Sequence, residues 1–421
     1  GIEFTQYFKN RLYYIDVKGM LSSLHGSAGA ITALQNSVAH YYQRASSADY
    51  LGVDPTRRSL TGTGGYVKVG RKGNAKWNFS ETFTWSSPGF DLNDMGYMKE
   101  TDYLMNETEI MYRQTDIWKI FRYNAFTLSQ KNMWNYGGTP FSNNASLRWQ
   151  SMTMNRYEWD VKETFAWNWL DSRLLRGGPD VRFGSYFLTS AKFNTDKAKR
   201  MMFMLKYEGD HNFEGNRFNT ISPSLTFRLG NHVYLSGQLD YAWNTDEMQY
   251  VATTSPLSSS SLTPYYYVMG HMDQKTYGLT LKLQVNVTPD ISIQFYGAPF
   301  TSIAKYDDFK LAADTKSHTF ENRFQRIDPD HLTYADGVYT IGEGAGQMPF
   351  RNPDFRFNEF RSNLVARWEY LPGSTLYFVW EHRMSNRDNW YSSGWGSNLD
   401  RMWGLPATNT FMIKMNYWFN L

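Results

Sequence analysis

The segment Phe411-Met-Ile-Lys-Met-Asn-Tyr-Trp-Phe-Asn-Leu421 decides how this chain is read. Taken two residues at a time, it puts Phe411, Ile413, Met415, Tyr417, Phe419 and Leu421 on one face. Met412, Lys414, Asn416, Trp418 and Asn420 fall on the other. A period of two is the signature of a β-strand, and this strand is apolar along one whole side with aromatics crowded at its end. The same alternation recurs along the chain. Tyr277, Leu279, Leu281, Leu283, Val285 and Val287 alternate with Gly278, Thr280, Lys282, Gln284 and Asn286. Val233, Leu235, Gly237, Leu239, Tyr241 and Trp243 do so with Tyr234, Ser236, Gln238, Asp240 and Ala242. Met201–Glu208, Ile291–Tyr296 and Leu376–Glu381 repeat the pattern.

A strand with one apolar and one polar face has two homes. One is the half-buried sheet of a soluble sandwich; the other is a barrel with its apolar side in lipid and its polar side around a wet lumen. Connection lengths separate the two. Short turns rich in Gly, Pro, Asn and Asp are expected at 9–11, 71–74, 229–231, 288–290 and 371–373. Long polar connections are expected at about 26–58, 88–101, 246–262, 303–354 and 387–408. Short and long connections in alternation are the pattern of a transmembrane barrel, with tight turns on the periplasmic side and long loops outside. The expectation is therefore an all-β, antiparallel outer-membrane barrel of about 16–18 visible strands. Residues 303–354 are expected to form a long extracellular loop or plug within it.

Composition agrees with this. The mean hydropathy is −0.57, but aromatic residues make up 17% of the chain, far above what disordered chains carry. The polar average then comes from lumen and loops. With 43 Lys+Arg against 40 Asp+Glu, there is no basic excess to hold a nucleic acid. No apolar run is long enough for a transmembrane helix. The absence of Cys removes disulfides, thiol catalysis and Cys-ligated metals. The eight His show no metal-ligand spacing, and no nucleophile elbow or phosphate loop is present. The reading is accordingly not an enzyme, with no cofactor and no metal.

The candidate lumen-lining residues are Lys206, Asp240, Lys282, Gln284, Glu381 and Lys414, the polar positions of alternating strands. The loop aromatics Tyr265, Tyr266, Tyr267, Trp390 and Trp395 are placed to stack on a sugar. One repeated segment breaks the pattern. Trp77-Asn-Phe-Ser-Glu-Thr-Phe-Thr-Trp85 and Trp159-Asp-Val-Lys-Glu-Thr-Phe-Ala-Trp167 each put a carboxylate, Glu81 or Glu163, on the apolar face near mid-strand. A β-bulge could turn each Glu inward, or each could sit high enough to reach the headgroups; the sharper readings are a contact with a partner protein or a paired lumen site. Short helical periods at Ile31–Gln43 and Asn398–Leu405 suggest small helices at the barrel mouth.

The segment from Asn352-Pro-Asp-Phe-Arg-Phe-Asn-Glu-Phe to Tyr377-Phe-Val-Trp380 resembles the C-terminal end of a Bacteroidota outer-membrane barrel family. Members of that family are labelled carbohydrate-binding family 9-like, with a barrel region of unknown function. Asn398-Leu-Asp-Arg-Met-Trp403 followed by Phe411–Phe419 is similar to the same ending. Tyr41-Tyr-Gln-Arg44 with Asp49-Tyr50, and Ser87-Pro-Gly-Phe-Asp-Leu-Asn-Asp-Met-Gly-Tyr97, resemble earlier family stretches. The resemblance implies an outer-membrane location and supplies no catalytic residues. The family's N-terminal carbohydrate-binding-like domain and an upstream barrel segment have no counterpart here, so Gly1 is expected to fall inside the barrel of a longer protein. Two functions follow as expectations. The first is a pore or uptake channel for a small or oligomeric solute, a glycan among them. The second is a structural or assembly subunit of a larger outer-membrane complex. The partners in view are outer-membrane lipid and lipopolysaccharide, the solute, and other outer-membrane proteins.

Overall fold

Alternating sequence becomes a ladder. The computed structural model describes residues 1–44, 50–73, 75–93, 96–167, 169–257, 265–389 and 394–419. Seventeen strands follow in order: β1 (Ile2–Phe8), β2 (Tyr13–His25), β3 (Ser59–Arg71), β4 (Trp77–Ser86), β5 (Tyr103–Gln114), β6 (Phe121–Trp134), β7 (Pro140–Thr153), β8 (Glu158–Trp167), β9 (Tyr186–Asn194), β10 (Met201–Asn212), β11 (Arg217–Leu229), β12 (Val233–Thr254), β13 (Tyr266–Asn286), β14 (Ile291–Ala312), β15 (Phe355–Leu371), β16 (Ser374–Asp388) and β17 (Ala407–Asn416). Each pairs antiparallel with the next. A further short strand, Phe324–Arg326, pairs back onto Lys310–Ala312 and completes the 18-stranded sheet. The sheet resembles a barrel but does not close: β1 and β17 each have a neighbour on one side only, and every residue of both is exposed.

The two ends of the ladder differ. At one end the connections are 9–12, 72–76, 115–120, 154–157, 195–200, 230–232, 287–290 and 372–373. Positive φ at Lys9, Asn10, Arg11 and Gly373 lets the chain reverse there within a few residues. At the other end run 26–58, 87–102, 168–185, 255–265, 313–354 and 389–406, with short links only at 135–139 and 213–216. Helices α1 (Ala28–Gln35) and α2 (Trp395–Trp403) lie in these long connections; α1 covers only the start of the expected Ile31–Gln43 stretch, and α2 begins three residues before the expected Asn398–Leu405. No helix among the described residues is long and apolar enough to cross a membrane.

Two expected loops start later than the sequence suggests. The strand β14 continues through Ile303–Ala312, so the long connection begins at residue 313 and not at 303. It carries its own antiparallel meander, Leu332–Ala335, Val338–Ile341 and Met348–Arg351. Likewise β12 runs to Thr254 and β13 starts at Tyr266, which puts Tyr266 and Tyr267 in a strand rather than a loop. The strands β12, β13 and β14 are 22, 21 and 22 residues long, and they rise above the rest of the ladder. Register shifts between Asp246 and Gln249, Tyr250 and Ala252, and Met269 and His271 fall in this raised part, where bulges add twist and bend a sheet.

The buried apolar core sits at the long-connection end. Ile341 and Phe350 of the meander pack on Val268, Met272, Ala304, Tyr306 and Phe309 of the raised wall. Leu175 and Val181 of the 168–185 segment meet Met248, Met269 and Phe324. Tyr42, Leu51 and Leu60 form a third cluster. Phe90, 3% exposed, lies flat against β3 because Gly64 has no side chain: a Cβ there would sit 2.5 Å from the Phe90 ring. Replacing Gly64 by Leu should lift the 87–102 segment at a cost of about 1–3 kcal/mol. Faster proteolysis between residues 87 and 102, with the strand signal in circular dichroism unchanged, is the expected result.

Candidate functional site

The register assigns every side chain to a face, because directly opposed residues of paired strands share one. Lys206 opposes Ser222, and Ser222 Oγ donates to Asp240 at 2.6 Å. Along β12 and across to β13, Asp240 shares its face with Lys282 (opposite Ser236) and Gln284 (opposite Tyr234). Lys282 leads through Tyr296 and Asn363 to Glu381. Glu381 opposes Thr410, and Lys414 stands four residues further along β17, on the same side. All six candidate lumen residues therefore line one continuous polar face. Lys282 and Gln284 border a common pocket with Tyr234, Tyr296 and Asn363, about 320 Å³ in volume.

The same face carries more charge than the six candidates. Lys206 pairs with Glu208 at 2.7 Å, Arg148 with Asp160 at 2.5 Å, Arg367 with Glu369 at 2.5 Å, and Glu359 with both Arg361 and Arg383 at 2.9 Å. The alternation that exposed Lys206 and Lys282 applies to these residues too, so the sequence carried the signal for them. The wall mixes both signs and is not a single-sign field.

At the long-connection end, the segments are tied to one another by buried charges. Arg44 Nη2 donates to Asp102 at 2.7 Å, and Tyr50 donates to the same carboxylate oxygen at 2.6 Å. Burial and that bond push the Tyr50 hydroxyl up, and burial pushes that of Tyr42 up to about 12, so both stay neutral. His40 bridges Asp91 (3.1 Å) and the Pro88 carbonyl (2.9 Å). Arg323, 1% exposed, holds Glu214 through two nitrogens at 2.9 and 2.7 Å, and donates to the carbonyls of Arg182, Ser317 and His318. Thr315 donates to the Asp180 carbonyl at 2.7 Å. These contacts join 26–58 to 87–102, and 168–185 to 213–216 and 313–354. Together they make a cap on the polar face. Sequence reasoning missed it because the partners that join these segments lie 48 to 141 residues apart, with no local pattern to reveal them.

Glu81 and Glu163 stay on the apolar face. No register shift occurs in β4 or β8, which removes the inward-turning bulge. Glu81 accepts a hydrogen bond from Thr108, directly opposite on β5, at 2.6 Å. Glu163 accepts one from Thr189, directly opposite on β9, at 2.7 Å. Four strand spacings separate β4 from β8, roughly 19 Å, so the two carboxylates do not form one paired site.

Among the described residues, the loop aromatics do not form one cluster. Tyr265 is exposed, while Tyr267 packs against the cluster of Leu175 and Met269. Trp395 opens α2, and Trp390 lies outside the described residues. Among the described residues no three His, Asp or Glu side chains converge as a metal site would require.

The cap yields a test. Glu214→Leu leaves the Arg323 guanidinium buried without its countercharge, a loss of about 3–5 kcal/mol. The double variant Glu214→Leu/Arg323→Met should recover most of that loss. Hydrogen exchange across residues 313–354 should rise in the single variant and fall back in the double.

Set against protein families, residues 26–421 match the family described as "Domain of unknown function (DUF5916)". No curated protein matches the sequence. Among solved structures, the siderophore receptor PirA from Acinetobacter baumannii is similar with a TM-score of 0.39 and 9% sequence identity, over 98% of this chain and 69% of that one. With nearly its whole length matched, this chain belongs to the DUF5916 family.

Proposed function

We propose that this chain forms the wall of a bacterial outer-membrane β-barrel that passes a small polar solute along its inner face and is closed at its outer mouth by its own loops. The observation that carries the reading is the apolar face. In register across four strands stand Phe79, Ile110, Leu128 and Leu147, each 43–56% exposed. A soluble protein would cover a row of this kind, whereas lipid and lipopolysaccharide cover it at no cost. Trp85 and Trp167 share that face at the long-connection ends of their strands, where an interfacial girdle belongs. Short turns then face the periplasm and the long connections face outward. Residues 1–421 act here as one barrel wall, with 313–354 as part of the cap.

The edges add a constraint. Both β1 and β17 run from the long-connection end to the turn end, so direct pairing between them would be parallel. In lipid an open edge is not tolerated. Antiparallel closure between these two edges therefore needs a strand running the opposite way to pair with each of them. The chain has no Cys, so Phe4→Cys with Ile413→Cys gives a clean probe. Absence of a cross-link in membranes is the expected outcome. A disulfide, which needs Cα atoms within about 7 Å, would establish direct closure of β1 on β17.

On this reading the protein is a conduit and performs no covalent chemistry. The mixed-sign wall suits a neutral or zwitterionic solute, a glycan unit among them. A second reading, an assembly subunit, is favoured by one observation: Glu81 and Glu163, with their Thr partners, mark the outer face across β4–β9 where another outer-membrane protein could lie. Planar-bilayer recordings separate the two. The purified protein should conduct weakly or not at all, and removing residues 316–351 should open a steady conductance. Silence in both forms would discard the conduit and leave the assembly role.

A further inference from the structure

The short-turn end of the ladder carries an uneven charge. In the turns from 9–12 to 230–232, counted with two strand residues on either side, thirteen Lys and Arg stand against three acidic residues. The two remaining turns at that end, 287–290 and 372–373, hold no Lys or Arg on the same count. The whole chain is only +3, so this arc gathers basic charge that the composition does not reveal. Within the arc, a cleft of about 510 Å³ opens between the turns 154–157 and 195–200. Arg156 and Lys199 border it, and among the described residues neither has an ion-pair partner. Lys197, beside them, is taken by Glu158 at 2.5 Å.

The other walls are largely apolar, with Met154, Tyr157, Met201 and Phe203 among them. Phe203 and Met201 carry the apolar face of β10 down to its turn. Leu205, two residues further along that face, opposes Phe193, and Phe193 opposes Trp159 on the face that holds Leu147 and Glu163. Rings continue from the cleft along this face: Tyr157 and Trp159 lie 5.8 and 4.4 Å from Phe193, and Phe193 lies 6.4 Å from Phe203. Met154, Tyr157, Trp159 and Met201 are 39–57% exposed. Two free cations at the foot of an exposed aromatic surface match a molecule with an anionic head and hydrocarbon tails. Lys and Arg draw anionic headgroups, and aromatic rings sit at the boundary between headgroup and hydrocarbon. One carboxylate, Asp196, also borders the cleft, and one of its oxygens accepts from the Ala198 backbone N–H at 2.9 Å. It repels an anion, whereas it would hold the ammonium of a dipolar headgroup, so its removal separates the two.

We propose that this cleft binds one anionic glycerophospholipid, its phosphate between Arg156 and Lys199 and its chains along Tyr157, Met201 and Phe203. The proposal rests on the reading that the apolar face meets lipid, and partition of the chain into phosphatidylcholine bilayers tests that reading by itself. Native mass spectrometry of the whole chain in a non-ionic detergent tests the headgroup, with phosphatidylglycerol and phosphatidylcholine of matched chains in competition. One phosphatidylglycerol should be retained in preference. Its retention should fall about fivefold in Arg156→Gln and in Lys199→Gln, as expected for one basic residue at an anionic headgroup. Asp196→Asn, which keeps an acceptor for the Ala198 N–H, should strengthen it. Lys9→Gln, on the same arc but roughly 29 Å away along the sheet, should leave it unchanged, and glycerol 3-phosphate should not displace the lipid. Insertion into phosphatidylcholine bilayers with no preference for phosphatidylglycerol would overturn the cleft and keep the barrel wall. A chain that stays in water without detergent would overturn both. Equal loss in Lys9→Gln, displacement by glycerol 3-phosphate, or weaker retention in Asp196→Asn would also overturn the assignment.

Discussion

Every feature of this molecule depends on a backbone constraint: in a β-ladder, neighbouring side chains point to opposite faces, and a slip of one residue inverts the face of a whole strand. Sixteen successive pairings keep a polar face and an apolar face continuous from β1 to β17. Where register shifts occur, they are confined to strand ends and to the raised part of β12, β13 and β14. There the wall leaves the two-faced regime and is covered on its polar side by loops. The alternation is strict where one face is apolar and exposed, and it relaxes where other segments of the chain cover the sheet.

The same constraint explains why the compact core lies at one end. A two-faced sheet with a charged polar side cannot bury that side along most of its length. Apolar clusters can form only where other segments fold over that side. Val268 and Tyr306 are buried because Ile341 and Phe350 reach them, and Leu60 is buried because Tyr42 and Leu51 do. Buried pairs such as Arg44–Asp102 and Arg323–Glu214 are poor sources of net stability but strong selectors of one arrangement, since removing either partner strands a charge. They suit a cap that has to dock in one place.

The faces and most strands were legible in the sequence because period two is local information. Lys206, Asp240, Lys282, Gln284, Glu381 and Lys414 all stand on the polar face that their positions in the alternation predict. The misread boundaries have a physical cause. Asp307 and Asp308, with φ at Asp308 of 43°, look like loop residues, yet Ile303–Ala312 stays in the ladder because β13 pairs with it as far as Leu311 and the short strand Phe324–Arg326 pairs with Lys310–Ala312. The cap was not legible. Its residues come from strands and loops far apart in the chain, and a residue such as Asp102 or Glu214 alone is indistinguishable from a solvated one. The family description adds a relationship and no role.

Glu81 and Glu163 show how a local rule can be broken twice in the same way. A carboxylate on an apolar face is costly, though less so for acidic than for basic residues. In each case the residue directly opposite on the next strand is Thr, with its hydroxyl 2.6 or 2.7 Å from the carboxylate. One hydrogen bond satisfies a fraction of what an ionised carboxylate can accept, so the pair is less exposed but not neutralised. The flanking sequence is nearly the same in both strands, Trp-x-x-x-Glu-Thr-Phe-x-Trp, whereas the Thr partners come from segments that are not alike: Asn106-Glu-Thr-Glu-Ile110 and Phe187-Leu-Thr-Ser-Ala191. Duplication alone would copy the Glu and leave its partner to chance. The recurrence of Thr at the opposed position therefore points to a requirement for the pair itself on that face.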